Sequence, residues 1–241
     1  MPAVKKLEEL SIKIFADGAE KADMLALAKE PYIKGLTTNP TLMHKAGVTD
    51  YTAFAKEILA AIPDKPISFE VFSDDFDEME RQAHVIASWP GEVYVKIPIM
   101  NTKGESSAPL IAKLSAAGIK LNVTMILTAK QVQTATDALD RDTPAIISVF
   151  AGRAADVGID PVPVMEESMK IVSAKPKIEL LWASVRELFN IYEAQRLGVH
   201  IITVPPSVLK KAKGVGTSLE ALELEGVKIF YDDGKAAGFT I

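Results

Sequence analysis

With 241 residues, 48% of them hydrophobic, the chain can bury a large core, and no apolar run is long enough to span a bilayer. The formal charge of −5, from 27 Lys and Arg against 32 Asp and Glu, comes without a long basic block, which argues against nucleic acid as a partner. Cysteine is absent, which removes disulfides and thiolate zinc sites, and the charged run Met1–Glu9 lacks an apolar signal core, so a cytoplasmic location is expected.

Short β-rich runs alternate with amphipathic stretches along the chain. The expected strands are Lys13–Ala16, Ile33–Thr37, Ile67–Val71, Val93–Ile97, Lys120–Met125, Ala145–Phe150, Ile178–Trp182 and His200–Thr203. Helical spacing appears over Asp50–Ala61, where Tyr51, Phe54, Ala55, Ile58 and Leu59 form one stripe, and over Asp74–Ser88. Further helices are expected at Pro109–Ala117, Ala129–Leu139, Pro163–Val172, Val185–Leu197 and Ser207–Lys213. Asp50, Thr128, Ser184 and Pro206-Ser207 supply helix-entry signals. Eight strands alternating with helices, with no Pro-, Gly- or Ser-rich linker, predict a single α/β domain over 1–241, a closed (β/α)8 TIM barrel. The tail, 214–241, exceeds what eight units need, and is expected to form helices covering a barrel end or a neighbouring subunit. A doubly wound open sheet fits less well, because Asp17-Gly18-Ala19-Glu20 after the first strand is not a glycine-rich phosphate turn.

In such a barrel the chemistry gathers at the C-terminal ends of the strands. Those ends carry Asp17, then Thr37-Thr38-Asn39-Pro40, Ser68 and Glu70, Lys96, Asn122 and Thr124, Ser148 with Arg153, Ser184 with Arg186, and Thr203. Strands of a parallel barrel should be almost wholly apolar, so this set is unusual as a group. Taken singly, each has a structural account: Asp17 as a cap, Asn39 as a turn former, Thr124 as a β-branched filler. Strand alternation sends Lys96 inward with Tyr94, away from Val93, Val95 and Ile97. Burial disfavours an ammonium ion, and a neutral amine can attack a ketone, forming a Schiff base that acts as an electron sink for carbon–carbon cleavage. Glu70 is expected to shuttle protons through a water or hydroxyl, with the amine kept partly apart from it. Asp17 would take the proton from the hydroxyl that becomes the leaving aldehyde, while Asn39 and Asn122 bind hydroxyls. Arg153 and Arg186, with Ser148 and Ser184, suit a phosphate. The scattered His44, His84 and His200 show no metal-ligand spacing, and His200 is expected to open the eighth strand at the barrel's far end. Trp182 could face the lumen or pack in the core.

These segments resemble transaldolase motifs: Phe15-Ala16-Asp17-Gly18-Ala19, Thr37-Thr38-Asn39-Pro40, Ser68-Phe69-Glu70-Val71, Val95-Lys96-Ile97-Pro98, Asn122-Val123-Thr124, Ser148-Val149-Phe150-Ala151-Gly152-Arg153 and Ala183-Ser184-Val185-Arg186. The resemblance implies a class I aldolase-type barrel without a cofactor or metal, with Lys96, Glu70, Asp17 and Thr124 catalytic. Thr38, Asn39, Asn122, Ser148, Phe150, Arg153, Ser184 and Arg186 would bind a sugar phosphate. It implies transfer of a dihydroxyacetone unit from a ketose phosphate to an aldose phosphate in the pentose phosphate pathway. The length resembles the short branch, which tends to form pentamer-based rings, so a pentamer or decamer is expected. Some short relatives are fructose-6-phosphate aldolases, which release free dihydroxyacetone and carry glutamine and tyrosine where this chain has Glu70 and Phe150. Both positions favour the transferase over the lyase. A non-catalytic sugar-phosphate-binding barrel would need neither Lys96 nor Glu70. Met100-Asn101-Thr102-Lys103 departs from the short relatives, so the substrate's anionic group, phosphate or a similar sulfonate, stays open.

Overall fold

The β-branched runs become strands because they can be buried on both faces, and the amphipathic stretches become the helices that cover them. The computed structural model describes residues 4–241; Met1–Ala3, the start of the charged N-terminal run, lie outside it. Among the described residues eight parallel strands close into a barrel in sequence order. They are β1 (Lys13–Asp17), β2 (Ile33–Thr37), β3 (Ile67–Glu70), β4 (Val93–Pro98), β5 (Leu121–Ile126), β6 (Ala145–Val149), β7 (Ile178–Trp182) and β8 (Ile201–Val204). Around them run α1 (Lys21–Leu27), α2 (Pro40–Lys45), α3 (Tyr51–Ala61), α4 (Phe76–Ala87), α5 (Ala108–Ala116) and α6 (Ala129–Ala138). The circuit ends with α7 (Ala151–Asp156), α8 (Val162–Val172), α9 (Phe189–Arg196), α10 (Pro206–Leu209) and α11 (Leu219–Ala236). No described helix is long and apolar enough to cross a membrane.

The expected barrel is the observed one, and its strands match the expected runs within a residue or so at each end. Three helices were not legible. Both α1 and α7 have only a few buried residues, and α2 is only six residues long, starting at Pro40. Asp50 and Thr128 cap α3 and α6 through their side chains, accepting from Ala53 N–H at 2.9 Å and Gln131 N–H at 3.3 Å. Ser184 does not cap a helix. Its φ of 64° is left-handed, and α9 starts only at Phe189. The tail forms one continuous helix, α11, with no buried residue, so it covers neither end of its own barrel.

Two layers of core result from strand alternation. Phe69, Val95, Leu121, Ile147 and Trp182 face outward under the helices. Phe15, Tyr94, Ile146, Leu181 and Ile201 fill the lumen. Trp182 is therefore core, 1% exposed and turned away from the mouth. Gly35 makes room for this filling, since a Cβ there would stand 2.6 Å from the Phe15 ring. Above the apolar plug, toward the C-terminal mouth, the inward positions turn polar.

Candidate active site

Alternation and register bring the strand-end residues to one place. Glu70 lies beside Lys96 across β3 and β4, and Lys96 beside Asn122 across β4 and β5. Asp17 lies beside Thr37 across β1 and β2. Lys96 is 5% exposed. Its Nζ sits 3.1 Å from Glu70 Oε2 and donates to the carbonyl of Thr38 at 2.9 Å. The expectation that the amine would be kept partly apart from Glu70 is corrected: paired neighbouring strands put the two side chains in direct contact. A buried ion pair of this kind is tolerated because each charge compensates the other's desolvation. Beneath Lys96 on the same face, burial pushes the Tyr94 phenol up to about 12, so it stays neutral.

Asp17 is half-buried and accepts a hydrogen bond from Thr37 Oγ1 at 2.8 Å. Burial raises its carboxyl above the ordinary value, while the Lys96 charge and the Thr37 hydroxyl pull the other way. The Thr37 hydroxyl also pairs with that of Thr203, so β1, β2 and β8 share one network. Asp17 is no helix cap; α1 begins later, at Lys21. On the other side of the lysine, Ser148 Oγ donates to Asn122 Oδ1 at 2.7 Å and Asn122 Nδ2 donates to Ser68 Oγ at 3.0 Å. This relay fixes which way the Asn122 amide points.

Thr124 carries a buried hydroxyl with no hydrogen-bond partner among the described residues. Native structures seldom leave such a group unsatisfied. By alternation it faces inward with Asn122, two residues earlier on β5, and Met125, at φ 60°, breaks that alternation just after it. Without that break Ile126, which is buried in the outer core, would share the face of Thr124.

A cavity of about 530 Å³ opens above these residues. Asp17, Asn39, Glu70, Lys96, Asn122 and Thr124 line its floor and one wall. Ser148, Phe150, Arg153, Ser184 and Arg186 line the other. Of the twelve residues expected to be catalytic or to bind substrate, Thr38 alone is missing from this lining. Its hydroxyl donates to the carbonyl of Ser68 at 2.8 Å, leaving only its carbonyl to the site, as the acceptor for Lys96. Asn39 lines the cavity and also caps α2, accepting from Leu42 N–H at 2.9 Å, so its turn-forming and site-lining accounts coexist.

The two arginines differ. Arg186 grips Asp156 with both Nε (2.9 Å) and Nη2 (2.6 Å), and that pairing holds the Asp156 carboxyl below the ordinary range. Among the described residues Arg153 has no carboxylate within ion-pair distance, and it lies 6.0 Å from the Phe150 ring centroid. Gly152 makes their proximity possible. A Cβ there would fall 1.6 Å from the Ser184 carbonyl oxygen, so only glycine lets the start of α7 seat against the turn after β7. Lys45 also lines the cavity and was not singled out, because a lone lysine in a short helix carries no pattern. The histidines lie elsewhere: His44 and His84 are exposed, and His200, just before β8, accepts from Leu180 N–H through Nδ1 at 2.9 Å.

A family model described as "Transaldolase/Fructose-6-phosphate aldolase" matches residues 14–241. A protein of Thermoanaerobacter sp. (strain X514) named "Probable transaldolase" is 34% identical over 231 residues, covering 95% of this chain and all of its own. A Streptococcus pyogenes protein of the same name is 34% identical over 223 residues, 92% of this chain and 97% of its own. Among solved structures, one from Coccidioides immitis, provisionally assigned as a fructose-1,6-biphosphate aldolase, superposes with a TM-score of 0.58 at 12% identity. It covers 84% of this chain and 76% of that one, a likeness of fold alone. By these matches the chain belongs to the transaldolase/fructose-6-phosphate aldolase family.

Proposed function

We propose that this chain is a transaldolase acting through a Schiff base on Lys96. The observation that carries the proposal is a buried lysine in direct contact with a carboxylate at the C-terminal mouth of a barrel. Lys96 attacks the carbonyl carbon of a ketose phosphate such as fructose 6-phosphate or sedoheptulose 7-phosphate. Glu70, 3.1 Å away, exchanges protons with the amine and with the departing water. The protonated imine then accepts the electron pair of the bond between its α and β carbons as Asp17 takes the proton of the β-carbon hydroxyl. An aldose phosphate leaves, and the three-carbon enamine on Lys96 waits for the acceptor aldehyde. Asn122 and Asn39 hydrogen-bond substrate hydroxyls, Thr124 orders the hydroxyl or water that carries the proton, and Ser148, Ser184, Arg153 and Arg186 hold the anionic end. The chemistry needs neither cofactor nor metal.

The family includes fructose-6-phosphate aldolases, which release the three-carbon unit instead of transferring it. Glu70 and the hydroxyl-free Phe150 side chain in the cavity favour transfer. Borohydride reduction with fructose 6-phosphate, followed by mass spectrometry, should leave a reduced dihydroxyacetone adduct on Lys96. Absence of that adduct during turnover defeats the mechanism. Dihydroxyacetone release should be slow without an aldose phosphate acceptor; rapid acceptor-free release would make the enzyme a lyase. We place the enzyme in the cytoplasm, within the pentose phosphate pathway. Its assembly is a homo-oligomer, a pentamer or decamer, supported by the resemblance and by the exposed apolar residues of α11.

A further inference from the structure

Glu70 is held in an unusual way. In a parallel sheet, the N–H and C=O of a residue point to the same neighbouring strand, and alternate residues point to opposite neighbours. The Ser68 carbonyl accepts from Thr38 N–H at 3.2 Å, so Ser68 faces β2. Glu70, two residues on, faces the same side. By that level β2 has ended at Thr37, and Asn39-Pro40 has turned the chain into α2. Both polar groups of the Glu70 main chain would be left without a ladder partner, a costly state for groups this far from solvent.

Tyr51, at the start of α3, fills the gap. Its hydroxyl donates to the Glu70 carbonyl at 2.9 Å and accepts from the Glu70 N–H at 2.9 Å. One O–H thus does what a residue of a continued β2 would do with its backbone. Its ring is wedged against other aromatics, with Phe72 at 5.2 Å, Trp89 at 6.1 Å and Phe69 at 6.3 Å between centroids, so the hydroxyl has little freedom. From the opposite side Val71 N–H donates to the Lys96 carbonyl at 3.1 Å. The strand is therefore pinned on both flanks where the Glu70 carboxylate meets Lys96.

We propose that Tyr51 is a positioning residue, standing in for β2 in the ladder and so setting where the Glu70 carboxylate meets the Lys96 amine. The proposal rests on Lys96 and Glu70 carrying the proton transfers described above. Tyr51→Phe keeps the ring and its aromatic contacts and removes only the hydroxyl. It should lower kcat about tenfold with KM within about twofold, and shift the pH–kcat profile, because a misplaced base weakens proton transfer. In a Glu70→Gln background the same change should have little further effect on kcat, since Tyr51 acts through the carboxylate. Unchanged kcat and pH profile in Tyr51→Phe, or losses that multiply independently of Glu70→Gln, would overturn the role. If Tyr51→Phe does not fold, 3-fluorotyrosine at position 51 keeps the O–H but weakens it as an acceptor, and should lower kcat in the same direction; no change overturns the role. Borohydride trapping on the wild type separates the two levels. An adduct on Lys96 with a silent Tyr51→Phe sinks the role of Tyr51 alone, whereas no wild-type adduct sinks the transaldolase mechanism and this role with it.

Discussion

Thr124 and Asp17 each carry a cost that folding alone does not explain. A buried hydroxyl without a partner destabilises the fold, and replacing it with an isosteric methyl removes that cost. Thr124→Val should therefore leave thermal stability unchanged or slightly improved, within about 1 kcal/mol. If the hydroxyl orders a proton-carrying water, kcat should fall roughly a hundredfold. Unchanged kcat would return Thr124 to the role of a β-branched filler. For Asp17, burial raises the carboxyl above its ordinary 3.8. A raised folded value means the native state binds the proton more readily than the unfolded chain. Stability then declines as pH climbs from 3.8 through the folded value, and the deficit persists at neutral pH. Asp17→Asn should melt above the wild type at pH 7, with the gap closing as the buffer is taken below that range, while activity drops about 10²–10⁴-fold. Melting curves across pH that show no gap would mean the carboxylate is fully compensated by Lys96 and Thr37.

At the scale of elements, the turns after β6 and β7 behave as one unit. Gly152 sits beneath the Ser184 carbonyl, Ser184 itself takes a left-handed turn, and Ala183 N–H donates to the Val149 carbonyl at 2.8 Å. Gly152→Ala drives a methyl into backbone, which no rotamer change relieves, and should cost about 1–3 kcal/mol or more. The displaced turn also carries Ser184 and Arg186, so KM for a ketose phosphate should rise together with the fall in melting temperature. A variant that melts lower but keeps its KM would uncouple this turn from anion binding. Both arginines at strand ends are visible in the sequence, yet the grip of Arg186 on Asp156, 30 residues away, is not. A helix-end aspartate carries no periodic signal, and which arginine it meets depends on how α7 packs beside the turn after β7.

For the whole molecule, α11 is the feature the barrel does not use. Val227 is 60% and Phe230 79% exposed on a helix with no buried residue. In an isolated chain, Val227→Glu with Phe230→Glu should be nearly neutral, as surface changes usually are. In the proposed oligomer the pair should shift sedimentation from the assembled species toward the monomer, whereas an unchanged distribution would move the interface elsewhere. The sequence by itself determined the strand order, the barrel and which inward positions are polar, because two-residue alternation is a local property and eight covered parallel strands leave one closed arrangement. It also placed Lys96 inside with Glu70, Asp17, Asn122 and Thr124 at the same rim. Only the tertiary structure decided that Glu70 touches the amine, that Tyr51 replaces a missing strand beside it, and that Thr38 offers its carbonyl alone. Those facts depend on side-chain directions and on where one strand ends against its neighbour. Neither quantity is written in the periodicity of any single segment.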